Sequence, residues 1–227
     1  MKPLALTADL ARAVLDGRKT ETRRPVSPQP PDHATGPYYM LHPQPWNDLR
    51  RSELHIEAWS GPLYHARPER ALCGAFVARS PLGSPGDLLW LREPAKCIGY
   101  TPGRRIVIEY AADGETAEVD HPARLRPVAP GKGLPNGIHR EAARWWGRVV
   151  EVRVERLRAI DEGGAMREGI DADLRRESRR TAFADVWDAI YSRRGLGWAD
   201  NPWVWVTRFE RVARPDDWTP DPGGPRG

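Results

Sequence analysis

The densest run of reactive side chains in this 227-residue sequence is Arg18-Lys19-Thr20-Glu21-Thr22-Arg23-Arg24. A threonine hydroxyl becomes a nucleophile only when a neighbouring group takes its proton, and a lysine can do so only when it is neutral. Burial and nearby cations lower a lysine pKa, and Arg18, Arg23 and Arg24 supply such cations for Lys19. Lys19 and Thr22 are three positions apart, so on a regular strand they face opposite ways and converge only at a turn, a bulge or a helix end. The competing reading of the run is a solvated basic loop. Glu168 closes an expected helix just before Gly169, where a carboxylate opposes the helix dipole. Such a local conflict marks either a functional group or an exposed surface side chain. Glu162 and Glu93 are rival carboxylates, and Glu93 follows an apolar strand pattern that would set it at a pocket mouth. Trp145, Trp146 and Trp198 flank loops and offer faces for base stacking, whereas Trp90, Trp187, Trp203 and Trp205 read as core. The six histidines show no HxH or HxxxH spacing, so neither a metal site nor a cofactor is expected. No P-loop, GxGxxG or Ser-His-Asp signature is present.

The elements that must position these groups follow from periodicity and punctuation. Thr7 to Asp16 reads as a short helix, with Thr7 as cap, Leu10, Ala11 and Val14 on one face, and Gly17 as stop. Arg18 to Arg24 follows as an exposed strand or extended turn. Residues 25 to 45 hold seven of the 23 prolines and cannot form a helix interior or a central strand. They belong to an insertion over about residues 26–80, in which Leu54 to Trp59 and Gly74 to Ala78 are short strand candidates. Leu88 to Arg92 is an apolar strand, Arg105 to Ala111 an alternating one, and Asp113-Gly114 a hairpin turn leading to a return strand over Glu115 to Val119. His139 to Trp145 reads as a turn or two of helix. Arg148 to Leu157 is the clearest strand, with Val150, Val152 and Val154 on one side and Glu151, Arg153 and Glu155 on the other. Asp161 to Glu168 is a helix capped by Asp161. Arg180 to Ser192 is amphipathic, with Phe183, Val186, Trp187, Ile190 and Tyr191 on one stripe. Trp203 to Val212 is a last strand, and residues 214–227, rich in Pro and Gly, form a disordered tail. The expected fold class is therefore α+β: a small β-barrel or curved mixed sheet with flanking helices, one domain over residues 1–213.

Composition narrows the classes. Hydrophobic residues at 40% and charged residues at 29% are those of an ordinary globular chain. No segment approaches the roughly 18 apolar residues of a spanning helix, so no membrane partner is expected. Cys73 and Cys97 are the only cysteines, which argues against a disulfide scaffold and for a reducing, cytoplasmic setting. The net charge of +4 permits a nucleic-acid partner without demonstrating one.

Five motifs, taken together and in order, resemble the ASCH domain family, whose fold is PUA-like. They are Leu15 to Arg24 (LDGRKTETRR), Gly86 to Glu93 (GDLLWLRE), Val154 to Leu157 (VERL), Glu168 to Ile170 (EGI) and Asn201 to Trp205 (NPWVW). The resemblance is to the longer members found in phages and prophages. The family includes a small amidohydrolase of N4-acetylcytidine, proposed RNA binders and reported ribonucleases. The resemblance implies Lys19 as base, Thr22 as nucleophile and Glu168 as proton donor, with Arg18, Arg23 and Arg24 near phosphate or an oxyanion. It also draws attention to His139, since the family carries a histidine near this point. The expected partner is a nucleoside or a single-stranded nucleic acid. The expected function is amide hydrolysis on an N4-acylated cytosine, with a non-catalytic RNA- or DNA-binding module or a ribonuclease as alternatives.

Overall fold

The structure is a computed structural model that describes residues 1–29, 53–57, 75–103, 105–122, 124–171 and 177–215. Its elements run β1 (Lys2–Ala5), α1 (Ala8–Leu15), β2 (Glu21–Pro25), β3 (Glu53–Glu57), β4 (Ala75–Arg79), β5 (Leu88–Arg92), β6 (Ala95–Thr101), β7 (Arg105–Tyr110), β8 (Thr116–Asp120), β9 (Trp146–Arg156), α2 (Glu162–Arg167), α3 (Arg179–Tyr191) and β10 (Trp203–Val212). Most of the expected insertion and nearly all of the expected tail lie outside the described residues.

The architecture is α+β. A five-stranded mixed sheet has the order β1-β5-β9-β10-β2, β6-β7-β8 form a second, antiparallel sheet, and β3 pairs with β4. Only the β1–β5 pair is parallel in the five-stranded sheet. Among the described residues the strands do not close into a barrel. Its two edge strands are joined through a side chain, the Arg24 guanidinium on β2 donating to the Ala5 carbonyl on β1 at 2.6 Å.

Two faces of β10 bury different cores. Val204 and Val206 pack with Leu157, Ile160, Ala165, Phe183 and Trp187 beneath α2 and α3, while Trp203 and Trp205 pack with Val26 and Val154 on the other side. A third cluster joins α1 to β1, β5 and the N-terminal half of β9 through Leu4, Val14, Leu89, Leu91 and Val149. A fourth, around Trp90, Ile106, Ile108 and Trp146, ties in the three-stranded sheet.

Several expectations need correction. The second half of the run before Pro25 is a strand but not an exposed one: Glu21, Thr22 and Arg23 of β2 are all buried, while Arg18 stays exposed. Val149, not Val150, enters the core of β9, because the β9–β10 register slips between Arg208 and Phe209, which face Glu151 and Val149. A bulge of this kind adds one residue and resets the alternation. Ile190, expected on the buried stripe of α3, is 41% exposed, whereas Ala184 is buried. The expected helix at His139 to Trp145 is a single 3-10 turn over Arg140–Ala142. Trp145 and Trp146 are buried like the other core tryptophans.

Candidate functional site

Main-chain bonds bring the segment before β2 against the end of α2. Lys19 N donates to the Ala13 carbonyl at 2.9 Å, and Thr20 N donates to the Arg167 carbonyl at 2.8 Å. Lys19 and Glu168 thereby form an antiparallel bridge. Asp161 starts α2 by accepting from Gly164 N at 2.6 Å, and Gly169 ends it with φ +79°. A Cβ at Gly169 would sit 2.7 Å from the Ala13 Cβ and 2.8 Å from the Lys19 Cβ. Glycine is thus required both by the left-handed backbone and by the close approach.

This approach delivers the Lys19 ammonium to the helix end. Lys19 Nζ donates to the Glu21 carbonyl at 2.8 Å, to the Glu168 carbonyl at 2.9 Å, and to Glu168 Oε2. All three N–H groups of the ammonium are used, and the side chain has no exposed surface. Arg23 closes the other side, with Nη1 donating to Glu21 Oε1 at 2.8 Å and to Glu168 Oε1 at 3.2 Å. Its Nε and Nη2 reach Glu155 Oε1 at 3.0 and 2.7 Å. Glu21 Oε2 accepts in turn from Arg153 at 3.3 Å and from Arg167 at 3.5 Å. The carboxylate that opposed the α2 dipole in the sequence is therefore held by two cations.

The electrostatics follow from burial and pairing. Burial lowers the Lys19 pKa below its ordinary 10.5, and the adjacent Glu168 only partly restores it. Burial alone would raise the Glu21 carboxyl, but the guanidinium groups of Arg23, Arg153 and Arg167 outweigh it and hold the pKa below 4.5. Arg23 stays charged, because Glu168, Glu155 and Glu21 overcome its desolvation.

A cavity of about 540 Å³ adjoins this network, lined by Val14, Leu15, Lys19, Trp145 and Phe209, with Arg167, Arg208 and Arg211 at its rim. That volume lies within the usual range for small-ligand sites, about 300–1,000 Å³. Trp145 packs edge-on to Phe209, ring centroids 5.7 Å apart, so it contributes wall rather than a free stacking face.

The other candidates lie elsewhere. Strand alternation puts Thr22 on the face of β2 opposite Glu21 and Arg23, in register with Thr207 of β10. Arg18 is exposed and bonds to Asp16 at 3.1 Å and to the Gly169 carbonyl at 3.4 Å. Glu93 is fully buried and takes a bidentate pair from Arg144 at 2.9 and 2.8 Å. Arg144 also meets Asp113 at 2.7 Å and lies over the Tyr110 ring at 4.0 Å. His139 lines a separate cavity and contacts the Asp120 carbonyl through Nε2 at 3.1 Å. Its pKa is lowered by burial, against the opposing effect of that carbonyl and of Glu141.

Sequence reasoning joined Lys19 to Glu168 through resemblance, but it missed Glu21, Glu155, Arg153 and Arg167 as partners. The signal available was a long valine-rich strand with charges at alternating positions, Glu151, Arg153 and Glu155. No protein-family model matches the chain, no curated protein matches it, and no solved structure matches its fold.

Proposed function

We propose that the chain is an ASCH-type, PUA-like hydrolase that cleaves an N-acyl amide on a cytosine-like base held in the cavity beside Lys19. The observation that carries this reading is the buried contact between Lys19 Nζ and Glu168 Oε2, behind a cavity that the Lys19 residue lines. A neutral amine beside a protonated carboxyl has the same net charge as the ion pair, and a dry site lowers the cost of that neutral form. In it Lys19 is a base and Glu168 an acid at once. Lys19 takes a proton from the attacking oxygen as the C–O bond forms. Glu168 then protonates the exocyclic nitrogen as the C–N bond breaks. The reaction leaves the ammonium–carboxylate pair, and one proton transfer from Lys19 to Glu168 restores the neutral form.

Strand alternation argues against Thr22 as the attacking group, so the reading assigns attack to water. Because the Lys19 side chain is covered, substrate reaches it only when the α2 end or the Arg167 side chain moves aside. The proposed setting is the cytoplasm, in keeping with the two cysteines and the absence of a CxxC motif.

A second reading, a non-catalytic module for a nucleoside or single-stranded nucleic acid, is favoured by one observation: every N–H of Lys19 is already satisfied within the protein. Chromatographic assay of N4-acetylcytidine with wild type and Glu168→Gln separates the two. Cytidine and acetate from the wild type alone support the hydrolase. Binding without turnover establishes the module instead.

A further inference from the structure

A second region carries positive charge in a different way. From His121 to Arg140 the sequence contains no acidic residue, yet it holds Arg124, Arg126, Lys132 and Arg140 as well as two histidines. The segment is fixed against β6 and its flank by main-chain bonds. Gly131 N donates to the Cys97 carbonyl at 2.7 Å, Leu134 N to the Ala95 carbonyl at 2.8 Å, and Ile138 N to the Glu93 carbonyl at 2.9 Å. The Tyr100 hydroxyl adds a bond from Val128 N at 2.7 Å. A cavity of about 440 Å³ lies under this segment, with Trp90 and Leu134 in its apolar wall and Arg92, Arg124, Arg126 and His139 among its polar groups.

The guanidinium groups differ in what they have to bind. Arg124 pairs with Glu141 at 2.9 Å. Arg92 and Arg126 have no carboxylate partner among the described residues, and Arg92 Nε is buried without an acceptor. A buried donor left unsatisfied is destabilising until an acceptor reaches it, and a planar guanidinium fork matches a phosphate oxygen pair. An apolar wall beside unpaired arginines suits a ligand with a flat ring at one end and phosphate at the other. Main-chain anchoring fixes the segment in advance, which lowers the ordering cost of binding.

We propose that this cavity is a second ligand site for a phosphate-bearing nucleotide, with the phosphate on Arg92 and Arg126 and the base against Trp90 and Leu134. The site is separate from the Lys19 cavity and does not depend on the hydrolase reading. The same chemistry is offered by a free nucleotide and by one nucleotide of a single strand.

The test is titration of the full chain with cytidine 5′-monophosphate, followed by the ring proton resonances of His121 and His139, which locate the ligand. Saturable shifts of both are expected, with affinity at least about tenfold weaker for cytidine, a loss in keeping with removing a charge-assisted contact. Arg126→Glu should weaken binding by a similar factor. Arg126 is exposed, so this variant tests the site without threatening the fold; Arg92→Gln tests the buried half. Tighter binding of a short oligocytidylate, falling steeply between about 50 and about 200 mM salt, identifies a strand as the source. Equal affinity identifies the free nucleotide. No shift of the two histidines with the nucleotide or with inorganic phosphate overturns the proposal. So does an affinity unchanged in Arg126→Glu.

Discussion

The network around Lys19 and the cavity under residues 121–140 are both rich in arginine, but they resolve their charge in opposite ways. Around Lys19 every cation is matched: Arg23 alone meets Glu21, Glu155 and Glu168. Arg23, Glu21 and Glu168 are buried and Glu155 is partly so, and these groups come from β2, β9 and the end of α2. Under residues 121–140, two guanidinium groups meet no carboxylate among the described residues, and the charges stand beside an open apolar wall. A closed, matched network can hold two elements together and share a proton. An unmatched rim can only hold position and wait for an anion. Residue type is the same in both regions, and it is the supply of carboxylates from distant strands that separates them.

The largest expected effect comes from breaking the matched network. Lys19→Met leaves Glu168 buried with Arg23 as its one remaining cation, and a denaturant titration should show a loss of about 3–5 kcal/mol, the usual cost of removing one member of a buried pair. Adding Glu168→Leu should recover part of that loss, and the double-mutant cycle gives the coupling. A Lys19→Met protein as stable as wild type would mean that the pair is not buried as described. Gly169→Ala comes next. It forces a Cβ into a position with φ +79° and contacts of 2.7 and 2.8 Å, so thermal unfolding should register a loss of about 1–3 kcal/mol.

Smaller effects sharpen the contrast. Arg126→Glu should change stability by less than about 0.5 kcal/mol, as for an exposed side chain with no carboxylate partner among the described residues, even though it weakens nucleotide binding by about tenfold. A large stability loss would place Arg126 in the fold rather than the site. The smallest effect concerns pH. The Glu21 pKa is depressed in the folded chain, so its contribution to stability is present above the unfolded value near 4.5 and is lost as the pH falls through the lower folded value. Lys19 has the opposite charge and a pKa lowered below 10.5, so the unfolded chain binds its proton more tightly and stability from this group rises between the folded value and 10.5. Glu21→Gln should flatten the acid limb of the stability profile relative to wild type. An unchanged acid limb would show that Glu21 is not held by its arginines.

Local signals carried much of the fold. β10 was legible to the residue, because Trp203 to Val212 has the β-branched and aromatic content of a strand and is bounded by Pro202. Asp161 and Gly169 marked both ends of α2 through cap chemistry that acts within a few residues. Asp113-Gly114 marked the β7–β8 hairpin in the same way. Thr7 occupies the cap position of α1, although its side chain makes no cap bond. β6 was missed, because Lys96, Gly99 and Tyr100 interrupt its apolar pattern and its register slips between Cys97 and Gly99. The burial of β2 was illegible for a different reason. A run of Glu, Thr and Arg reads as solvated until Glu155 and Glu168, more than a hundred residues away in sequence, supply the neutralising charge. The separation of Glu93 from the Lys19 network was hidden in the same way, since its partner Arg144 lies on a distant segment.

The most direct test of the account is the rate of acetate release from N4-acetylcytidine by wild type, Lys19→Met and Glu168→Gln, each first shown to be folded. Release by the wild type is expected, with a fall of at least about a hundredfold in each variant, the scale of general acid–base contributions. A wild type that releases no acetate, or variants as active as the wild type, would contradict the assignment of Lys19 and Glu168 as the reacting pair.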